Sequence, residues 1–255
     1  MSASLEKALT LIEAMARARE PSSVTQLARD LNLNKSTVYR LLEVLCQHGY
    51  ARQQEVERSY MLTTRMWELG VEVLRKLSVH NVAPDFMRAC AESTGETLLL
   101  AIPDGTHALV IAKAESSHPL QIFSSIGTRL PLHVSSVGKV LMFDWPDGEI
   151  RDYARNRAHA VTDRTITDPD ALLQGVRTGR GTGYAVSMDE WTEGVSGVAA
   201  AIRDASGEIV AALGITAPTM RLHPDRVVPL GQEAVAVAGR ISHVLGHDGA
   251  PSPAA

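Results

Sequence analysis

The sequence predicts an α+β chain in two parts, a helical N-terminal segment ending in a hairpin and a larger C-terminal part on a largely antiparallel sheet. Three observations carry this. Apolar residues recur every three or four positions from Leu5 to Leu45, the strand-like runs joined by short Asp/Gly turns come only after Thr97, and helical stretches lie between those hairpins. At 255 residues, 45% hydrophobic and 21% charged, the chain can build a core and fits two modest domains.

Bulk properties exclude some classes. The longest apolar runs, such as Leu98 to Ile102 and Val210 to Leu213, are far shorter than the roughly 18 residues of a membrane span, and no basic flank precedes an apolar stretch at the N-terminus. A cytoplasmic location is expected. Cys46 and Cys90 have apolar neighbours at helical spacing and belong to no CxxC or Cys/His pattern, so both are read as buried free thiols. The net charge of −4 hides an asymmetry: residues 1–65 carry nine Lys and Arg against seven Asp and Glu, the remainder sixteen against twenty-two. So weak an excess argues neither for nor against a polyanionic partner, and only local placement of the cations can make a phosphate-binding face.

The first helix is marked by Leu5, Ala8, Leu9, Ile12, Met15 and Ala16 and is stopped by Pro21 and two serines. Ser23 with Gln26 forms a capping box that opens a second helix, Val24 to Leu31. Asn32, Leu33 and Asn34 then make a compact turn, with Asn34 as N-cap of a third helix that buries Val38, Leu41, Leu42 and Leu45. Outside on that third helix stand Lys35, Ser36, Thr37, Tyr39 and Arg40, in the two turns where a recognition helix meets base edges and phosphates. Thr25 and Gln26 begin the preceding helix. Tyr50 to Leu62 reads as a two-stranded wing around a polar tip, Gln53 to Arg58, with Arg52 and Arg58 available to the backbone of double-stranded DNA. This is the pattern of a winged helix-turn-helix; it also fits three packed helices with a solvated polar face.

Further along, Met66, Leu69, Val73, Leu74 and Leu77 share one side of a linker helix, Thr63 to Leu77, and a second helix runs from Pro84 to Glu92. Strands Thr97 to Ile102 and Ala108 to Lys113 flank Asp104-Gly105, and strands Val195 to Arg203 and Glu208 to Thr216 flank the turn Asp204 to Gly207. Ser135 to Phe143, Pro169 to Thr178 and Pro224 to Leu245 read as helices, and the Pro/Ala tail is expected to be disordered. The expected layout is a DNA-binding domain 1–65, a linker helix 66–80, a sensing domain 81–247 and a tail 248–255.

The stretches SLEKALTLIEAMA, VTQLARDLNLNKSTVYRLLEVLCQHGYARQ and YMLTTRMWELG resemble the DNA-binding domain of the IclR family of transcriptional regulators. GTRLPLHVSSVGKVLM (127–142) and GYAVSMDEWTEGVSGVAAAIRDASGEIVAALGITAP (183–218) are similar to the two signature regions of that family's effector-binding domain. The resemblance implies a GAF-like sensing domain, pseudo-palindromic operator DNA as partner, dimers formed through the DNA-binding domain and linker helix, and tetramers formed through the sensing domains. It also implies an effector site at Ser135, Ser136, Val137 and Gly138, faced by Ser187, Val195, Gly197, Gly214 and Thr216. Exposed amides at a helix start suit a carboxylate. The chain departs from members that sense glyoxylate or pyruvate: Ser187 replaces an acid, Gly197 a cysteine and Gly214 a serine. The expectation is a pocket widened for a larger acid such as a hydroxybenzoate; a small 2-oxo acid is the alternative, and the glycines also fit plain strand geometry.

Other constellations carry less. No GxSxG elbow is present, and Gly194-Val195-Ser196-Gly197 lacks its spacing, so neither an enzyme nor a cofactor is expected, the rival classes being an orphan ligand-binding enzyme and a purely structural DNA-binding protein. His243 and His247 stand four apart without the glutamate of HExxH, and Gly179 to Gly183 follows a helix instead of opening one and reads as a C-cap and turn. His133 is read as satisfied by backbone, and Asp189, Glu190 and Glu193 as a solvated acidic loop. Arg40→Ala is expected to weaken operator binding by about 1–3 kcal/mol and to relax selectivity at one base position. Fluorescence anisotropy on operator variants checks this, and a loss uniform across all sequences would make Arg40 a phosphate contact instead.

Overall fold

The computed structural model describes residues 3–54, 58–74, 78–115, 118 and 125–247. The chain divides into two compact units, Met1–Lys76 and Leu77–Ala255. The first contains α1 (Ala3–Arg17), α2 (Val24–Asp30), α3 (Lys35–Gln47), β1 (Ala51–Gln53), β2 (Tyr60–Leu62) and α4 (Arg65–Leu74). Its core joins Leu11 and Met15 of α1, Leu27 and Ala28 of α2, and Val38, Leu42 and Leu45 of α3, closed by Ala51 and Tyr60. The α1 stripe differs from the periodicity: Leu5 and Leu9 are 61% and 52% exposed, while Leu11 is buried. Only the C-terminal half of α1 reaches the core.

Ser23 caps α2 by accepting the Gln26 amide at 3.2 Å. Asn34 is in extended backbone at the start of α3, but its side chain makes no capping bond. β1 and β2 pair antiparallel, Ala51 with Leu62 through Gln53 with Tyr60, and Ser22 bridges to Tyr60 beside them. The wing tip expected at 53–58 is described only at its two ends. In the second unit α5 (Ser78–Thr94) starts well before Pro84, so the proline sits inside the helix, without the amide that would bond the His80 carbonyl.

The rest of the second unit comprises β3 (Thr97–Asp104), β4 (His107–Ala114), β5 (Arg129–Pro131), a 3-10 turn (Leu132–Val134), α6 (Ser136–Leu141), α7 (Asp147–Arg157), α8 (Pro169–Thr182), β6 (Tyr184–Met188), β7 (Val195–Arg203), β8 (Ile209–Pro218) and α9 (Pro224–Val244). The strands form one sheet in the order β5-β4-β3-β8-β7-β6, every neighbouring pair antiparallel. Leu99 and Ala101 of β3 join the core made with Val137, Val140, Ile150 and Leu172 of α6 to α8. Leu98 and Leu100 alternate to the other face, where α5 and α9 pack.

Sequence pattern misses β5, β6 and α7. β5 has three residues, β6 follows α8 with one residue between, and α7 buries only Ile150, Tyr153 and Ala154 in a polar run. α8 continues through Gly179 and Gly181 and is ended by Gly183 at φ +84, so the glycine cluster is mostly helix and not a turn. Gly179 admits close packing: a Cβ there would lie 2.7 Å from the Phe143 ring. Cys90 is buried, its thiol pushed up to about 11 by loss of solvation, whereas Cys46 is only half-buried; both are free thiols. No helix among the described residues is long and apolar enough to cross a membrane. The tail expected at 248–255 lies outside the described residues.

His133 is wholly buried, its Nδ1 3.2 Å from Tyr153 Oη and its Nε2 3.1 Å from the His159 carbonyl oxygen. Burial holds its pKa below the ordinary 6.5. A histidine kept neutral in the fold contributes stability that is complete above its unfolded pKa and is lost as pH falls through that value toward the folded one. Thermal midpoints of the wild type are therefore expected to drop between about pH 7.5 and about pH 5, and those of His133→Gln to vary less over the same window. Equal slopes for the two proteins would contradict this.

Candidate functional sites

On the first unit, α3 buries Val38, Leu42 and Leu45 and turns Lys35, Ser36, Tyr39 and Arg40 outward; Thr37 is half-buried. Tyr39 is 53% exposed, too much for a core aromatic. Thr25 and Gln26 are exposed on the first turn of α2, Arg52 on β1, and Arg58 at the wing, held at φ +50 with its amide donating to the Gln54 carbonyl at 3.1 Å. Among the described residues, Lys35, Arg40, Arg52 and Arg58 have no carboxylate at ion-pairing distance. Cations left unpaired on a helix start and a wing can reach phosphates, and the hydroxyl, amide and guanidinium groups beside them can read base edges.

The second unit holds a cavity of about 410 Å³ between the sheet and the start of α6. Leu99, Leu130, Val134, Val137, Val195 and Pro218 give it apolar walls. Hydroxyls enter from Thr128, Ser135, Ser136, Ser187, Ser196 and Thr216, and Trp191, Thr192 and Gly194 close one side. None of these lining residues is charged. Several of the hydroxyls are engaged: Ser135 Oγ accepts the Gly138 amide at 3.1 Å, and Ser187 Oγ donates to the Val134 carbonyl at 3.0 Å. Ser136 and Thr216 converge over Gly197, where a Cβ would lie 3.2 Å from Ser136 Oγ and 3.4 Å from Thr216 Oγ1. The floor of the cavity is thus a small polar patch in an apolar surround.

Behind this wall lies a buried ion pair. Lys139 Nζ of α6 donates to Glu190 Oε1 at 2.6 Å, to Oε2 at 2.8 Å and to the Val186 carbonyl at 3.0 Å, and the two side chains are 3% and 6% exposed. Burial pushes the Glu190 carboxyl up and the Lys139 ammonium down, each opposed by attraction to the other. Glu190 is therefore not part of a solvated acidic loop. Asp189, at φ +58, also faces inward: its carboxylate accepts the Gly194 amide at 2.8 Å and the Thr219 hydroxyl. Glu193 alone of the three acids is exposed.

Comparison with known proteins decides the family. Residues 4–55 match the IclR helix-turn-helix domain, and residues 71–243 match the family described as bacterial transcriptional regulator IclR C-terminal. The chain belongs to the IclR family. It is 33% identical, over 97% of this chain and 94% of the relative, to the HTH-type transcriptional regulator KdgR of Escherichia coli (strain K12). To the HTH-type transcriptional repressor AllR of Klebsiella pneumoniae it is 30% identical, over 95% of this chain and 89% of the relative. The crystal structure of the Thermotoga maritima IclR matches with a TM-score of 0.80 at 26% identity, covering 95% of this chain and 98% of that one. These relatives are transcriptional regulators and not enzymes, and the helix-turn-helix domain makes this IclR-family chain a DNA-binding protein.

Within this regulator the cavity gathers Ser135, Ser136, Val137, Ser187, Val195, Gly197 and Thr216, but not Gly138 or Gly214. Gly138 packs on backbone: a Cβ there would lie 2.3 Å from the Leu132 carbonyl oxygen. At Gly214 a Cβ would lie 2.7 Å from Val137 Cγ1, so the space a serine would occupy is filled by valine and does not widen the pocket. Trp191, Thr192 and Ser196 went unanticipated, although a tryptophan inside the polar run DEWTEG was a visible signal. His133 does not line the cavity, and among the described residues no group of three His, Cys, Asp or Glu could hold a metal. Glu190→Gln should destabilise the fold by about 3–5 kcal/mol, because it strands the Lys139 charge, whereas Lys139→Met combined with Glu190→Leu should be much milder. Urea unfolding of both variants checks this; a single variant no less stable than the double would contradict it.

Proposed function

We propose that this chain is an effector-controlled repressor in which the 410 Å³ cavity takes an aromatic carboxylic acid such as a hydroxybenzoate, and binding there changes the affinity of the winged helix for operator DNA. The observation that carries the ligand class is the cavity itself. Its volume and its apolar walls suit a ring, whereas a two- or three-carbon 2-oxo acid would leave most of it unfilled. With no cation in the lining, the carboxylate is held by dipoles: the free amides at the start of α6 and the hydroxyls over Gly197. Repression follows the description of AllR, and residues 66–80 serve as the linker between reader and sensor.

The regulator acts as a homodimer or homotetramer on a pseudo-palindromic site. One recognition helix contacts few base pairs, and a symmetric pair multiplies the selectivity. Supporting this, Leu5 and Leu9 of α1 and Trp67 and Leu69 of α4 are left exposed, at 61%, 52%, 71% and 40%. The effector works by binding one of two arrangements better than the other. Anisotropy titration on the DNA upstream of its own gene, with and without 4-hydroxybenzoate and glyoxylate, tests the whole scheme. Specific binding that the benzoate shifts and glyoxylate does not is the expected result. A shift by glyoxylate alone would replace the ligand class, and the absence of sequence-specific binding would remove the regulator reading.

A further inference from the structure

The loop between β6 and β7, Asp189 to Gly194, is built to hold one side chain still. Its first two residues are fastened from every side. The Asp189 amide donates to the Val195 carbonyl at 3.1 Å, its carboxylate takes the Gly194 amide, and its carbonyl accepts the Thr162 hydroxyl at 2.7 Å. The Glu190 carboxylate is locked on Lys139, and its carbonyl accepts the Thr165 hydroxyl at 2.8 Å. The far end is closed by the Val195 amide on the Thr192 carbonyl at 3.1 Å and by the Thr219 amide on the Gly194 carbonyl at 2.8 Å. Between these anchors stands Trp191, which lines the cavity and is still 36% exposed, so it occupies the boundary between cavity and solvent.

The buried ion pair one residue earlier fixes the backbone from which the indole projects, so little of its freedom remains to be lost on binding. The other walls of the cavity are aliphatic and the floor over Gly197 is polar, which makes Trp191 its one π-face among the described lining residues. We infer that Trp191 is the specificity-determining residue of the sensing cavity: it stacks on the planar ring of an aromatic acid whose polar end sits against Ser136 and Thr216. This rests on the reading of the cavity as the effector site and names the side chain that selects the effector class within it.

The test compares wild type, Trp191→Phe and Trp191→Leu, the leucine keeping apolar bulk while removing the ring. Calorimetric titration with 4-hydroxybenzoate and with hexanoate, an acid of similar reach but no ring, gives the ratio of the two affinities. In Trp191→Leu that ratio should fall by roughly tenfold, the scale of an aromatic contact together with its buried area, and Trp191→Phe should restore most of it. The change of tryptophan emission on adding 4-hydroxybenzoate to wild type should vanish in Trp191→Phe while calorimetric binding persists. An unchanged ratio in a folded Trp191→Leu, or an emission change that survives in Trp191→Phe, would overturn the role of Trp191 and leave the effector site standing. No calorimetric binding of 4-hydroxybenzoate to the wild type would overturn the ligand class itself and this inference with it.

Discussion

An ammonium and a carboxylate taken out of water together lose several kcal/mol of solvation each, and only close geometry with further hydrogen bonds returns it. Lys139 and Glu190 meet that demand through two short contacts to one carboxylate and a third bond from the ammonium to the Val186 carbonyl. The pair thereby ties α6 to the end of β6 and to the loop that leads into β7, partners 47 and 51 residues further along the chain. Each of them contributes a wall of the cavity.

The remaining walls are set by backbone proximity more than by side-chain bulk. Gly138 allows α6 to rest on the Leu132 carbonyl, and Gly214 allows Val137 to press onto β8. A methyl at Gly138 would push α6 off the turn at Leu132, and one at Gly214 would push the Val137 side chain of α6 off the sheet. Gly197 differs, because a Cβ there would meet the hydroxyls of Ser136 and Thr216 as well as the Ile215 carbonyl oxygen, all at 3.2–3.4 Å. Glycines that look alike in the sequence thus do different work: two seat a helix and one opens a polar floor.

Much of this was legible where a local rule decides the structure. The strand pairs around Asp104-Gly105 and Asp204 to Gly207, the helix opened by Ser23, and the outward polar face of α3 all follow from alternation, capping and periodicity within a dozen residues. What was not legible is decided by distant partners. β6 is a strand because β7 is beside it, and α7 is a helix although only Ile150, Tyr153 and Ala154 find a core. Leu5 and Leu9 carry the periodicity of a buried stripe but have no facing element within the first unit. Glu190 sits in a run of acids that local reasoning assigns to solvent, and only Lys139, 51 residues away, makes its burial affordable in energy.

On the proposed reading, the effector site carries no charge in its lining and the DNA-binding domain only a slight excess of cations. An acid held there only by hydroxyls and amides would be bound by weaker contacts than one clamped by arginine. Lys35, Arg40, Arg52 and Arg58, which have no carboxylate at ion-pairing distance among the described residues, would likewise supply a salt-sensitive attraction to phosphates, made selective on the proposed reading by two copies acting on one site. A ligand can move such an equilibrium by no more than its difference in affinity for the two arrangements, typically about 1–3 kcal/mol. That range corresponds to a change of about 5- to 150-fold in operator affinity, which bounds what an effector in the proposed site could exert.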